Sequence, residues 1–126
     1  MPDNYEENND FTTAYRFSGS PKTFWGAIYP SGDYDYFVTT LWVGNSIRIS
    51  LTNIPSGKNY NLCLWRHNWG AYEFIVCSEQ SGNTDENILY IVTGIAGYDD
   101  FYIVVQPATS SDWSCDSQYR LDITIE

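Results

Sequence analysis

Two segments near the N-terminus concentrate hard oxygen donors: Asp3-Asn4-Tyr5-Glu6-Glu7-Asn8-Asn9-Asp10 and Asp33-Tyr34-Asp35-Tyr36-Phe37. Carboxylate and amide oxygens, with no sulfur or imidazole among them, make up the ligand type calcium prefers, in sets of about six to eight. The same composition also suits solvated acidic loops on an acidic protein. A second chemistry-bearing group is Trp65-Arg66-His67-Asn68-Trp69 with Tyr72 close behind. Indoles lie flat against the apolar face of a pyranose ring, while guanidinium and amide groups hydrogen-bond its hydroxyls. Trp113, in the polar segment 110–117, adds one more indole. The candidate ligand contacts are therefore Trp65, Arg66, Asn68, Trp69, Tyr72 and Trp113. The competing reading is that these rings pack on a loop or on another domain of a parent protein.

Catalytic chemistry has few candidates. His67 is the single histidine, in a polar turn, and no HExxH or CxxC spacing is present for zinc. Asp99-Asp100 and Asp33/Asp35 could be read as a glycosidase carboxylate pair, but surface carboxylates are the expectation on a small domain without a long lid loop. The chain is expected not to be an enzyme.

The elements that must position these residues are strands. Period-two alternation recurs and is broken every 8–12 residues by Gly, Pro, Asn and Ser. Strands are expected at 14–17, 23–29, 34–42, 46–52, 60–66, 72–77, 87–93, 100–106 and 118–125. Phe37, Leu41, Ile47, Ile49, Leu51, Leu62, Leu64, Phe74, Val76, Ile88, Tyr90, Ile103, Val105, Tyr119, Leu121 and Ile123 are expected to face the core. Since Leu62 and Leu64 point inward, Trp65 points outward, and Trp42 lies between inward-facing Leu41 and Val43. The expected fold is all-β, an antiparallel two-sheet β-sandwich of jelly-roll type.

A turn centred near Gly70 would set residues whose numbers sum to 140 opposite one another, pairing Leu64 with Val76 on the buried face and Cys63 with Cys77 on the other. Directly opposed residues at a non-hydrogen-bonded site are close enough for a cross-strand disulfide. Two facing reduced thiols, or a pairing of either with Cys115, remain open at this point.

With 126 residues, the chain is expected to be one domain over 1–126, with 3–13 an acidic N-terminal arm. Six Lys and Arg against sixteen Asp and Glu give a formal charge of −10, which argues against nucleic acid or an anionic membrane as partner. No apolar run approaches the roughly 18 residues of a spanning helix. Met1-Pro2-Asp3 carries no signal-peptide pattern and reads as the start of an excised mature fragment, or equally of a cytosolic chain.

The order of several short motifs resembles the bacterial pre-peptidase C-terminal domain family, to which the collagen-binding domain of clostridial collagenases is related. They are Glu6-Glu7-Asn8-Asn9 with Ala14, Asp33-Tyr34-Asp35-Tyr36-Phe37, Asn53-Ile54-Pro55-Ser56-Gly57, Asn59-Tyr60-Asn61-Leu62-Cys63-Leu64, Gly82-Asn83-Thr84-Asp85-Glu86, Phe101-Tyr102-Ile103-Val104-Val105 and Tyr119-Arg120-Leu121-Asp122-Ile123. The resemblance implies a β-sandwich accessory domain of a larger secreted or cell-surface bacterial protein. It implies a calcium site that ties the N-terminal segment to the first long strand, carried over to Glu6, Asn8, Asn9, Asp33 and Asp35. Asn4 and Asn9 stand where such relatives often have carboxylates, and Glu7 replaces a common Pro, so the site would carry less charge. The expected role is to bind an insoluble polymer, a polysaccharide before a matrix polymer such as collagen. The alternative is a structural spacer that contacts only other domains of its parent.

Overall fold

Residues 8–68, 70–95, 97–115 and 117–126 are described by a computed structural model of the chain. Among them nine strands form: β1 (Tyr15–Arg16), β2 (Lys22–Gly26), β3 (Asp35–Trp42), β4 (Ser46–Thr52), β5 (Tyr60–Asn68), β6 (Ala71–Ser78), β7 (Glu86–Ile91), β8 (Tyr98–Pro107) and β9 (Tyr119–Ile125). They build a five-stranded sheet in the order β1-β3-β8-β5-β6 and a four-stranded sheet in the order β2-β9-β4-β7. This is the expected two-sheet sandwich. The pairing departs from a purely antiparallel one only at β1, which runs parallel to β3.

Alternation decides which side chains fill the space between the sheets. In β4, Ile47, Ile49 and Leu51 are fully buried while Arg48 points out. Across from them lie Phe37 and Leu41 of β3, Leu62 and Leu64 of β5, and Phe101, Ile103 and Val105 of β8. Phe24 stacks on Phe37 at 4.9 Å and meets Phe17 at 5.2 Å. Each such side chain contributes about 1.5–3 kcal/mol by leaving water. Tyr90 sits at the rim of this core, half-buried.

Two expected core residues are not in it. The β5–β6 ladder pairs Leu64 with Val76 and Cys63 with Cys77, and the two cysteines form a disulfide with Cα atoms 4.1 Å apart. The register then slips by one residue between Leu64 and Trp65, so that Trp65 faces Phe74 and Ile75 is the extra residue of a bulge. A one-residue slip exchanges the faces of a strand. Phe74 therefore lies on the outer face beside Trp65 and is 53% exposed. Val76 keeps the side of Leu64 but stands on the outermost strand of its sheet, where cover is thin, and is exposed. Cys115 is exposed and outside the disulfide.

The outer face of the five-stranded sheet is not an ordinary solvated face. Tyr102 and Val104 of β8, Val38 of β3 and Cys63 of β5 point to it and are buried. Tyr102 among them is met by the ring of Phe11, which lies on this face.

Candidate ligand-binding site

The segment around Phe11 is shaped by one carboxylate. Asp10 Oδ1 accepts hydrogen bonds from Thr12 N (2.8 Å), Thr12 Oγ1 (2.7 Å) and Thr13 N (3.0 Å), the geometry of an Asx-turn. These bonds, the Thr12 hydroxyl first, hold the Asp10 carboxyl below its usual range. Just before the turn, Asn8 is buried and its carbonyl accepts the Tyr36 N–H at 2.7 Å. Between these anchors Phe11 is set onto the sheet. Its ring stacks on Tyr72 at 4.0 Å and meets Tyr36, Tyr102 and Trp65 edge-on at 5.0, 5.2 and 5.4 Å. Tyr72 also stacks on His67 at 4.7 Å, and Trp65 meets Phe74 edge-on at 5.3 Å. A continuous aromatic layer results, with Tyr72 (40% exposed) and Phe74 (53%) open to solvent at its surface.

The expected ligand contacts do not form one patch. Trp65 points outward as expected, but it is half-buried within this layer. Arg66 and Asn68 line a separate groove of about 550 Å³ with Gly94, Ile95, Gly97, Tyr98 and Asp99. Arg66 Nε donates to Asp99 Oδ2 at 2.8 Å and Nη1 to the Thr93 carbonyl at 2.9 Å, and the guanidinium lies 5.1 Å from the Phe101 ring centre. Trp113 is at the other end of β5, 5.7 Å from the Tyr29 ring and 5.9 Å from the Lys58 ammonium. Trp69 lies outside the described residues.

The acidic residues are placed differently from one another. Asp33 and Asp35 are both buried. Asp33 Oδ2 accepts the Tyr29 N–H at 3.2 Å, and Asp35 Oδ2 accepts the Tyr119 hydroxyl at 2.6 Å. Asn8 docks beside them through Tyr36, Asn9 is exposed, and Glu6 lies outside the described residues. Burial, and then the charges of Asp112, Asp35 and Asp33, push the Tyr60 hydroxyl far up from its ordinary value. That hydroxyl is buried and has no hydrogen-bond partner among the described residues. Oxygen donors from Asn8, Asp33 and Asp35 fit calcium in kind. The charge is sparse, since among the described residues no cluster of three or more His, Cys, Asp or Glu could hold a metal ion.

Sequence reasoning missed four members of the aromatic layer: Phe11, Tyr36, Phe74 and Tyr102. Phe11 gave a faint signal as a lone aromatic in the polar run Asn8-Asn9-Asp10-Phe11-Thr12-Thr13. Phe74 gave none, because alternation without the bulge sends it inward.

No family model and no curated protein matches the chain. Solved structures do. The pre-peptidase C-terminal domain of a Bacillus anthracis collagenase superposes with a TM-score of 0.56 at 16% identity, covering 90% of this chain and 94% of that one. PliG of Aeromonas hydrophila, a periplasmic inhibitor of g-type lysozyme, gives 0.56 at 15% identity, covering 90% and 96%. TmCBM61, solved in complex with β-1,4-galactotriose, gives 0.51 at 11% identity, covering 86% and 72%. The resemblance to pre-peptidase C-terminal domains drawn from the sequence is thus matched by the fold. At these identities it is the fold that is shared.

Proposed function

We propose that this chain is a non-catalytic accessory module that attaches a larger secreted bacterial protein to an insoluble polymer, carbohydrate before collagen. One observation carries the reading: the Phe74 ring is open to solvent yet held by Trp65, beside the exposed edge of Tyr72, whose ring stacks on both Phe11 and His67. Rigid exposed rings lose little conformational entropy on binding and present a flat apolar surface to a sugar ring or a matrix chain. The related folds support it, since one is a domain of a collagenase and another was solved with a galactotriose. The Cys63–Cys77 disulfide supports an extracellular or periplasmic setting. The single histidine is spent in a ring stack, which supports a role without catalysis. Calcium belongs to the proposal as a stabiliser: Asn8, Asp33 and Asp35 would hold it, neutralising two buried carboxylates where the arm meets β3.

The spacer reading has its own observation. Phe11 already covers one face of Tyr72, so the layer also serves to fasten the arm. Native affinity electrophoresis separates the two, run against plant and microbial polysaccharides and soluble collagen, with calcium and with chelator. Retardation by one polymer, reduced tenfold or more by Tyr72→Ala with Phe74→Ala, supports the binding module. Absence of retardation by every polymer under both conditions would leave the spacer.

A further inference from the structure

The two sheets end in β1 and β6 on one side of the sandwich and in β2 and β7 on the other. A sheet edge is a template for another strand unless brevity, charge or a bulge spoils it. β1 is two residues long, β2 opens on Lys22, and β6 carries Glu73 and the bulge at Ile75. β7 has none of these devices beyond its first residue. Glu86 is buried and accepts the Ser78 hydroxyl and the Gln80 N–H, and from Asn87 to Thr93 there is no charge, glycine or proline. Alternate residues of such a strand turn their backbone groups toward the neighbouring strand and away from it. Val92 donates to the Asn45 carbonyl at 2.8 Å and accepts the Gly44 N–H at 3.0 Å, so it faces β4. Ser46 exchanges both backbone bonds with Glu126 beside β9, each at 2.9 Å, which leaves its neighbour Ile47 for Tyr90. Tyr90 and Ile88 therefore bond to β4, while Asn87, Leu89 and Ile91 aim their N–H and C=O groups out of the sheet. The Asn87 N–H agrees with this phase, since it donates to the Ser78 hydroxyl at 3.2 Å. Among the described residues, no hydrogen bond beyond the sheet falls on Leu89 or Ile91. Their side chains lie on the outer face, each 60% exposed, and Ile95 just beyond is fully exposed. These are the most exposed large aliphatic groups of the described residues, and their gathering in so short a stretch marks an interaction surface.

We propose that the β7 edge pairs with the same edge of a second copy of the chain, antiparallel about a two-fold axis. The open residues fix the register. Leu89 of each copy stands opposite Ile91 of the other, the pair exchanging N–H and C=O groups, and the Tyr90 residues face each other on the axis. A slide that set Asn87 opposite Ile91 would need the N–H already given to Ser78. The opposite slide would set Thr93 opposite Leu89, and the Thr93 carbonyl already accepts Arg66 Nη1 at 2.9 Å. Charge selects the occupant. Each copy carries −10, yet residues 87–93 of the two meet with no charged side chain opposite another, so two acidic molecules can touch here. A basic foreign strand would find no carboxylate in this stretch to pair with. The pairing joins two four-stranded sheets into one and gathers Leu89 and Ile91 of both copies into a single aliphatic cluster. Little area closes, so the dimer belongs to the weak class, with a dissociation constant of roughly 10–100 µM. The inference goes beyond the polymer reading and does not depend on it.

The test is sedimentation velocity of the full chain from about 5 to 500 µM, a range that brackets the expected constant. A reversible dimer is expected, tightening roughly threefold or more from about 10 to 150 mM sodium chloride as screening relieves the repulsion of like-charged copies. Ile91→Lys should weaken it tenfold or more by setting a charge in the aliphatic cluster, while the Tyr72→Ala/Phe74→Ala double variant leaves it unchanged. A second readout needs no variant. In dilute protein the amide hydrogens of Leu89 and Ile91 should exchange quickly and those of Ile88 and Tyr90 slowly. In concentrated protein the Leu89 and Ile91 amides should slow by about tenfold, with Ile88 and Tyr90 unchanged. A monomer at every concentration overturns the proposal. So does a dimer whose Leu89 and Ile91 amides exchange as in the monomer, one that loosens with added salt, or wild-type association in Ile91→Lys. Association lost in the Tyr72/Phe74 double variant but kept in Ile91→Lys would move the contact to the aromatic face and overturn the edge pairing.

Discussion

Trp65 and Phe74 exchange the roles their chemistry first suggests. The indole is clamped between Phe11 and Phe74, so it is a packing residue, while Phe74 offers its ring to solvent. Trp65→Ala should therefore cost about 2–3 kcal/mol of stability, whereas Phe74→Ala should cost less than about 1 kcal/mol. Only the second should weaken polymer retention with little change in thermal melting. A drop of equal size in both melts would place Phe74 in the packing as well. Alternation could not reveal this exchange, because one extra residue in β6 moves Phe74 across the sheet and nothing in the sequence marks the extra residue. The acidic residues were legible in kind and less so in role. Asp35 reads as a metal ligand from its neighbours Asp33 and Tyr36, yet its carboxylate also takes the Tyr119 hydroxyl in the interior. Asp33→Ala is expected to erase a calcium-dependent rise in melting temperature. Wild-type protein with equal melting temperatures in calcium and in chelator would end the calcium reading.

Between elements, charges and a covalent bond do what packing alone does not. Arg16 of β1 pairs with Asp100 of β8 at 2.8 Å, and Thr40 of β3 donates to the same carboxylate at 2.9 Å. Burial raises the Asp100 pKa, but the bonds from Arg16 and Thr40 outweigh it and leave the group below its ordinary value. A carboxyl with a lower pKa folded than unfolded adds stability above the unfolded value of about 4 and loses it as pH falls through the folded one. Asp100→Asn should thus lower the melting temperature slightly at neutral pH and flatten its decline below about pH 4. An unchanged acid profile would show that the triad does not hold β1 to the sheet. The Cys63–Cys77 bond, with a separation of 14 residues, should contribute about 3 kcal/mol. In unreduced protein neither sulfur should take a thiol label, and Cys63→Ala with Cys77→Ala should melt at lower temperature. Most strands were legible because each apolar–polar alternation is local. The parallel β1–β3 pair and the arm's place on the outer face were not, since both depend on partners distant in the chain.

For the molecule as a whole, the charge of −10 is a single quantity with a measurable effect. Self-repulsion opposes the compact state and is screened over about 10 Å at 0.1 M salt. The melting temperature should rise between 10 mM and 150 mM sodium chloride; a fall would mean that the ion pairs outweigh the repulsion. The strand orders carry a different consequence, which concerns time. The centre of the five-stranded sheet is β8, which alone joins β3 to β5, and β9 alone joins β2 to β4. Both bridging strands come last in the sequence. A ribosome that has released the first seven strands has released only separate pieces: β1 with β3, β5 with β6, β4 with β7, and β2 by itself. Neither sheet can be completed until β8 and β9 emerge, so the apolar faces of the earlier strands wait unmatched until then, the condition under which nascent chains aggregate. The β5–β6 hairpin is the piece that can mature early, for both its cysteines lie within it and its closure needs no later strand.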